Sequence, residues 1–147
     1  MKIAIGSDHA GFALKESVKK HLEEVGGFEL ADLGTYDTKS CHYPVFAEAV
    51  ANAVASGEAQ FGILCCGTGI GMSMCANKVK GIRAAAVSDC FTAEATRMHN
   101  DANVLCMGER TLGPGLANRI VDLFLHTSFE GGRHQTRVDM MMALENK

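Results

Sequence analysis

A chain of 147 residues, 47% hydrophobic and 21% charged, suits one compact domain with a real core, and residues 1–147 are read as that domain. A formal net charge of −3 argues against a nucleic-acid partner, and no apolar run reaches the roughly 18 residues that a membrane helix needs. The opening "MKIAIGSDHAG" turns polar too soon for a secretory leader, so the six cysteines are expected to be reduced thiols of a cytoplasmic protein.

The first segment, "KIAIG", is a short apolar strand. Leu14, Val18, Leu22 and Val25 then recur at helical spacing, and Gly26-Gly27 ends that helix. "FELADLG" reads as a second strand, followed by a polar loop over 34–43. Pro44 suits the first turn of a helix that carries Phe46, Val50 and Val54 and closes at Gly57. "QFGILCC" is a third strand, leading through a glycine turn into a helix that runs to about Lys78. "IRAAAVS" is a fourth strand, Asp89 a helix cap, and "NVLCMG" a fifth strand. Leu116, Ile120, Val121 and Phe124 mark the next helix, and a last one starts near Arg133 with Val138, Met141 and Met142 on one side.

Strands that alternate with helices, several of them almost wholly apolar, predict an α/β fold: a five-stranded, parallel, doubly wound sheet with helices on both faces and a C-terminal helix. Ligands of such folds bind beyond the carboxyl ends of the strands. The polar clusters at those ends are "SDHAG", "GTYDTKSCHYP", "CGTGIGMS", "SDCF" and "MGERTLG".

The adjacent Cys65 and Cys66 end a strand, so their side chains should point to opposite faces. That disfavours a disulfide between them. With no C-x-x-C pair and no H-E-x-x-H, no metal centre is expected. Nucleotide binding is disfavoured as well. Asp32 ends the second strand, where a dinucleotide fold keeps a ribose-binding acid, but the first turn reads "GSDHAG" rather than G-x-G-x-x-G, and there is no G-K-[ST]. A tight strand-to-helix turn would need one glycine. Gly67, Gly69 and Gly71 at alternate positions favour close backbone approach to an anion or a developing oxyanion.

Cys66 precedes a helix start, a location that favours thiolate, so it could act as nucleophile or as general base. Inert burial is the plainer reading for Cys65, Cys75 and Cys106, while Cys41 and Cys90 are left open. Each histidine alone fits a surface or capping role better than catalysis, and His21 and His126 stay there. Asp8-His9 at a strand's carboxyl end and His99-Asn100 in "RMHND" stand out more. Arg133 and Arg137 are i and i+4 on a helix and together suit a phosphate, where Arg110 could join them; the alternative is a solvated basic face. A thiolate, an oxyanion cradle, histidines, an aspartate and arginines without a cofactor motif fit proton transfer on a small phosphorylated carbonyl compound.

"GSDHAGFALK", "YP", "CGTGIGMS", "NK", "GIRAA", "HNDANVL", "GER" and "EGGRHQTRV" together resemble the ribose-5-phosphate isomerase B family, which includes galactose-6-phosphate and allose-6-phosphate isomerases. The resemblance runs nearly end to end. It implies a Rossmann-like sheet, a homodimer or larger assembly such as a tetramer, no cofactor and no metal. It implies interconversion of D-ribose 5-phosphate and D-ribulose 5-phosphate through a cis-enediolate. Cys66 matches the catalytic base, and His99 the residue that assists ring opening. Asp8 and His9 match substrate contacts, Asp8 also as a proton relay. The loop Gly67, Thr68, Gly69, Ile70, Gly71 matches the part that stabilises the enediolate. Tyr43 and Asn100 match sugar contacts, and Arg110, Arg133 and Arg137 phosphate contacts. One branch of the family uses a glutamate just after the glycine loop. Here that position is Met72, which places the chain in the cysteine branch. Two features depart from the pattern: His42 stands before "YP" where an aspartate is common, and Cys65 doubles the thiol. Two other readings stay beside it: an isomerase of six-carbon sugar phosphates or free rare sugars, and a non-catalytic sugar-phosphate sensor.

Overall fold

The computed structural model describes residues 1–147. Five parallel strands form one sheet: β1 (Lys2–Ser7), β2 (Glu29–Asp32), β3 (Phe61–Cys66), β4 (Ala84–Ala86) and β5 (Val104–Gly108). Six helices connect and flank them: α1 (Phe12–Val25), α2 (Tyr43–Ala55), α3 (Ile70–Ala76), α4 (Cys90–Asn100), α5 (Pro114–His126) and α6 (Arg133–Ala143). A single 3-10 turn, His9–Gly11, joins β1 to α1.

Period-two alternation along the strands divides the core in two. Ile3, Ile5, Ile63, Cys65, Leu105 and Met107 face α1, α4 and α5. Ala4, Leu64, Cys66, Val104 and Cys106 face α2 and α3. The two neighbouring cysteines therefore lie in different cores, as strand geometry requires. The strand order is β2-β1-β3-β5-β4. The chain leaves β1 for β2 on one side and returns to β3 on the other, so the winding reverses between β1 and β3. A crevice opens at such a reversal.

The structure departs from the sequence reading in three respects. Strand β4 is only three residues long, because as an edge strand it has one neighbour, β5. Helix α3 stops at Ala76 rather than near Lys78. Asn77 leaves the helix and exchanges two hydrogen bonds with the main chain of Ala84: its Nδ2 donates to the Ala84 carbonyl at 2.9 Å, and its Oδ1 accepts the Ala84 amide at 2.8 Å. Val25, Leu116 and Met141 are exposed although they continue their helices' apolar pattern. Val25 ends α1, and α6 buries His134 and Val138 instead of Met141.

Asp32 is ion-paired rather than free for a ribose. Its carboxylate accepts Lys15 Nζ at 2.8 Å, Lys19 Nζ at 2.7 Å and the Gly34 amide at 2.9 Å. Lys15 is 0% exposed, and its ammonium also donates to the Thr35 carbonyl. Burial opposes the charge on Asp32, but the donors from Lys15, Lys19 and Gly34 outweigh it and hold the carboxyl below its ordinary range. Asp32→Asn leaves a buried ammonium without its nearest counter-charge, with only Glu16 at 3.7 Å, so it should cost on the order of 3 kcal/mol at neutral pH. Because the folded-state pKa is depressed, this stabilisation is complete above the unfolded value near ~4 and is lost as pH falls through the lower folded value. Urea unfolding of both proteins at neutral and acidic pH measures it: the gap between them should close in acid.

Candidate active site

The reversal of winding places the ends of β1 and β3 side by side, and a cavity of about 520 Å³ opens there. Asp8, His9, Tyr43, Cys66, Gly67, Thr68, Ile70, Gly71 and Arg110 line it. Each comes from a strand end, the turn after one or the first residues of α3, except Tyr43, which starts α2 after the long polar loop.

The turn between β3 and α3 is shaped around the Cys66 sulfur. Gly69 has φ +79°, a left-handed conformation that a side chain resists. That bend brings its amide to donate to Cys66 Sγ at 3.0 Å. Cys66 is 6% exposed, and what remains exposed belongs to the cavity. Cys65 lies in the opposite core, where burial pushes its thiol far above the ordinary range and keeps it protonated.

Close backbone approach holds the neighbouring turns together. A Cβ on Gly71 would stand 2.8 Å from the Tyr43 ring, so the ring lies directly on that residue. The turn after β5 is clipped onto the glycine turn: Glu109 N–H donates to the Cys66 carbonyl at 2.9 Å, and Arg110 N–H to the Gly67 carbonyl at 3.0 Å. The Arg110 guanidinium lies over Gly67, 3.3 Å from where its Cβ would be.

At the end of β1, Asp8 caps the 3-10 turn: its carboxylate accepts the Gly11 amide at 3.0 Å. His9 Nδ1 accepts the Cys41 amide at 3.2 Å. A ring nitrogen that accepts carries no proton, which leaves Nε2 as the ring's donor. Cys41 Sγ lies 3.8 Å from the same Nδ1. His42 begins α2 without capping it through its side chain. His21 bonds Asp122 at 2.7 Å across α1 and α5, and His126 Nδ1 lies 2.8 Å from the Asp122 carbonyl.

Of the predicted site residues, Gly69 does not line this cavity although its amide reaches the Cys66 sulfur, and four more are absent from it: His99, Asn100, Arg133 and Arg137. These four gather elsewhere. Helix α4 runs back along the sheet after β4, so its last turn sits at the amino edge. Arg83, just before β4, bonds the Asn100 and Asp101 carbonyls there at 3.2 and 2.9 Å. Helix α6 packs against α4, and the His134 ring stacks on His99 with centroids 4.5 Å apart. Asn100 lines a separate hollow between β4 and the C-terminal segment. One chain thus carries its thiol cleft and its arginine–histidine cluster at different edges of the sheet.

The sequence reading passed over Ala10 and Met74, which complete the cavity wall, and His134, which pairs with His99. A signal for His134 was present: it follows Arg133 and lies between the two arginines.

A parallel, doubly wound sheet with a thiol-bearing polar cleft at its reversal point defines an α/β enzyme acting on a small polar molecule. The profile of the family described as Ribose/Galactose Isomerase matches residues 3–141. The chain is 49% identical over 146 residues to "Ribose-5-phosphate isomerase B" of Escherichia coli (strain K12), covering 99% of this chain and 97% of that one. The solved ribose-5-phosphate isomerase B of Clostridium thermocellum superposes with a TM-score of 0.97 at 49% identity, covering 99% and 98% of the two chains. The Mycoplasma genitalium ribose-5-phosphate isomerase B, solved with bound ribulose-5-phosphate, superposes with a TM-score of 0.93 at 44% identity, covering 99% and 97%. This chain belongs to the ribose/galactose isomerase family.

Proposed function

We propose that the protein interconverts D-ribose 5-phosphate and D-ribulose 5-phosphate, with Cys66 as the base. The observation that carries this reading is the sulfur of Cys66, in a cleft at the sheet's reversal point and held by the Gly69 amide. Ring opening exposes the aldehyde. The thiolate takes the C2 proton and returns it to C1, while the proton on O2 moves to O1 with Asp8 as relay. The turn Gly67–Gly71 supplies amides toward the enediolate oxygens. Tyr43 and His9 contact the sugar, and Arg110 reaches the phosphate.

His99, Asn100, Arg133 and Arg137 then serve the site of a second copy. Supporting this is the apolar rim of the cleft: Ile70, Met74, Tyr43 and the nearby Val45 are all exposed. Such a rim around a polar site suits burial against another protein surface. A homodimer would join the thiol half of one chain to the arginine–histidine half of its partner; a tetramer would pair two such dimers. No helix is long and apolar enough to cross a membrane. All six cysteines are free thiols, which fits a reducing cytoplasm.

The deciding experiment is turnover: ribose 5-phosphate should yield ribulose 5-phosphate in the presence of a chelator. Binding without ketose would mark a sensor domain. Faster conversion of allose 6-phosphate would mark a six-carbon isomerase. The arginine pair has its own test. Arg137→Ala should raise KM for ribose 5-phosphate on the order of tenfold or more, the loss of one charge-assisted phosphate contact of about 1.5–3 kcal/mol. An unchanged KM would leave the pair as a solvated face.

A further inference from the structure

Outside the thiol cleft, one cluster of side chains has the composition of a metal site. His99, Glu130 and His134 each offer a ligand atom, and these atoms lie within 4.8 Å of one another. Glu130 precedes α6 and His134 lies in its first turn, i and i+4, while His99 comes from the last turn of α4. The Glu130 main chain is tied to α4 by its amide, which donates to the Met98 carbonyl at 3.1 Å.

His134 supplies the second, independent sign. The residue is 7% exposed, and its Nε2 is sealed from solvent without a hydrogen-bond partner. The Glu130 carboxylate stands 3.3 Å away but off the direction a hydrogen bond requires. A buried polar nitrogen left unpaired is costly, and a cation at that nitrogen would remove the cost. Glu130 is exposed and His99 half-buried, so an ion can enter from solvent. The exposed Arg133 and Arg137 work against a cation, and the Glu130 carboxylate offsets part of that repulsion.

We propose that His99, Glu130 and His134 bind a borderline divalent transition-metal ion, zinc foremost, and that its binding inhibits the turnover of ring-closed sugar phosphate. Two imidazoles and one carboxylate are a donor set that zinc takes, with a fourth position left for water. A tetrahedral ion about 2.1 Å from each donor needs the donors roughly 3.4 Å apart and lies in the plane of each ring, so the two imidazoles, stacked at 15°, must turn out of their stack to bind it. The ion is not a cofactor here. It captures the imidazole that the reading above assigns to ring opening, and the inhibitory half of the proposal rests on that reading.

Binding and inhibition are measured separately. Calorimetry with zinc chloride on the full-length Cys66→Ala protein, which removes the cleft thiol as a competing ligand, should show one ion per chain. Adding Glu130→Gln or His134→Gln should weaken binding on the order of tenfold or more. Cobalt(II) in the same protein should show visible bands without thiolate-to-metal charge transfer. Unchanged affinity in the Glu130→Gln background, or a thiolate band, overturns the site; Glu130 is exposed, so this variant does not depend on a core change. In otherwise unaltered protein, zinc should slow ribose 5-phosphate turnover, and Glu130→Gln should keep basal activity while resisting zinc. Binding without inhibition overturns the regulatory half. A protein inactive on every sugar phosphate but binding zinc would refute the isomerase reading and leave the site standing.

Discussion

Cys66→Ala should lose isomerisation by a factor on the order of 10²–10⁴, the contribution of a positioned general base, while still binding phosphorylated ligand. The sulfur is held by a backbone donor, the Gly69 N–H, at 3.0 Å. The substitution removes that acceptor and leaves the turn otherwise intact, because the bend at Gly69 is set by its own φ and by its packing on the Met107 backbone. Cys65→Ala is the matched control. It lies one residue earlier, in the opposite core, with its thiol held neutral by burial. Its loss should cost about 1 kcal/mol of stability and little activity. Steady-state rates on ribose 5-phosphate and unfolding midpoints for both variants decide the matter. Equal activity losses would remove Cys66 from the role of base.

The second large effect concerns assembly. Refolding Cys66→Ala together with His99→Asn should restore activity to about a quarter of the unaltered level, although each variant alone is impaired. The reason is distance within one chain. Cys66 pairs in register with Gly108 at the carboxyl edge of the sheet, whereas Gly62, Val104 and Ala84 pair at the amino edge, where α4 ends. Four residues of strand separate those edges, roughly 13 Å at 3.3 Å per residue. His99 therefore stands beyond hydrogen-bond reach of a sugar held at its own chain's Cys66. In a two-fold dimer with shared sites, half of randomly paired dimers are mixed, and each mixed dimer has one intact site of two. No recovery, with mixed dimers shown by mass spectrometry, would place both residues in one chain's site or His99 outside it. Activity on an open-chain sugar phosphate separates those cases, since a ring-opening residue matters less there.

Much of this was legible before any coordinates. The apolar runs "KIAIG", "QFGILCC" and "NVLCMG" alternate with helical spacings, and that periodicity alone calls for a parallel sheet with both faces covered. Period two also assigns Cys65 and Cys66 to opposite faces, and the family motifs select the residues at the strand ends. Strand order was not in the sequence, because register and neighbour choice depend on how crossovers pack: β5 lies between β3 and the short edge strand β4. The fate of Asp32 was hidden for a similar reason. Its position matched a ribose-binding acid, but only folding brings Lys15 and Lys19 from α1 onto it. Above all, sequence named one set of site residues, and tertiary structure divided it. Residues after β1, β3 and β5 share an edge because parallel strands end together. Residues at the end of α4 and the start of α6 reach the other edge because a crossover helix runs back along the sheet. Side-chain chemistry was local and readable; the place where each side chain comes to rest depends on contacts distant in sequence, and only the folded chain determines those.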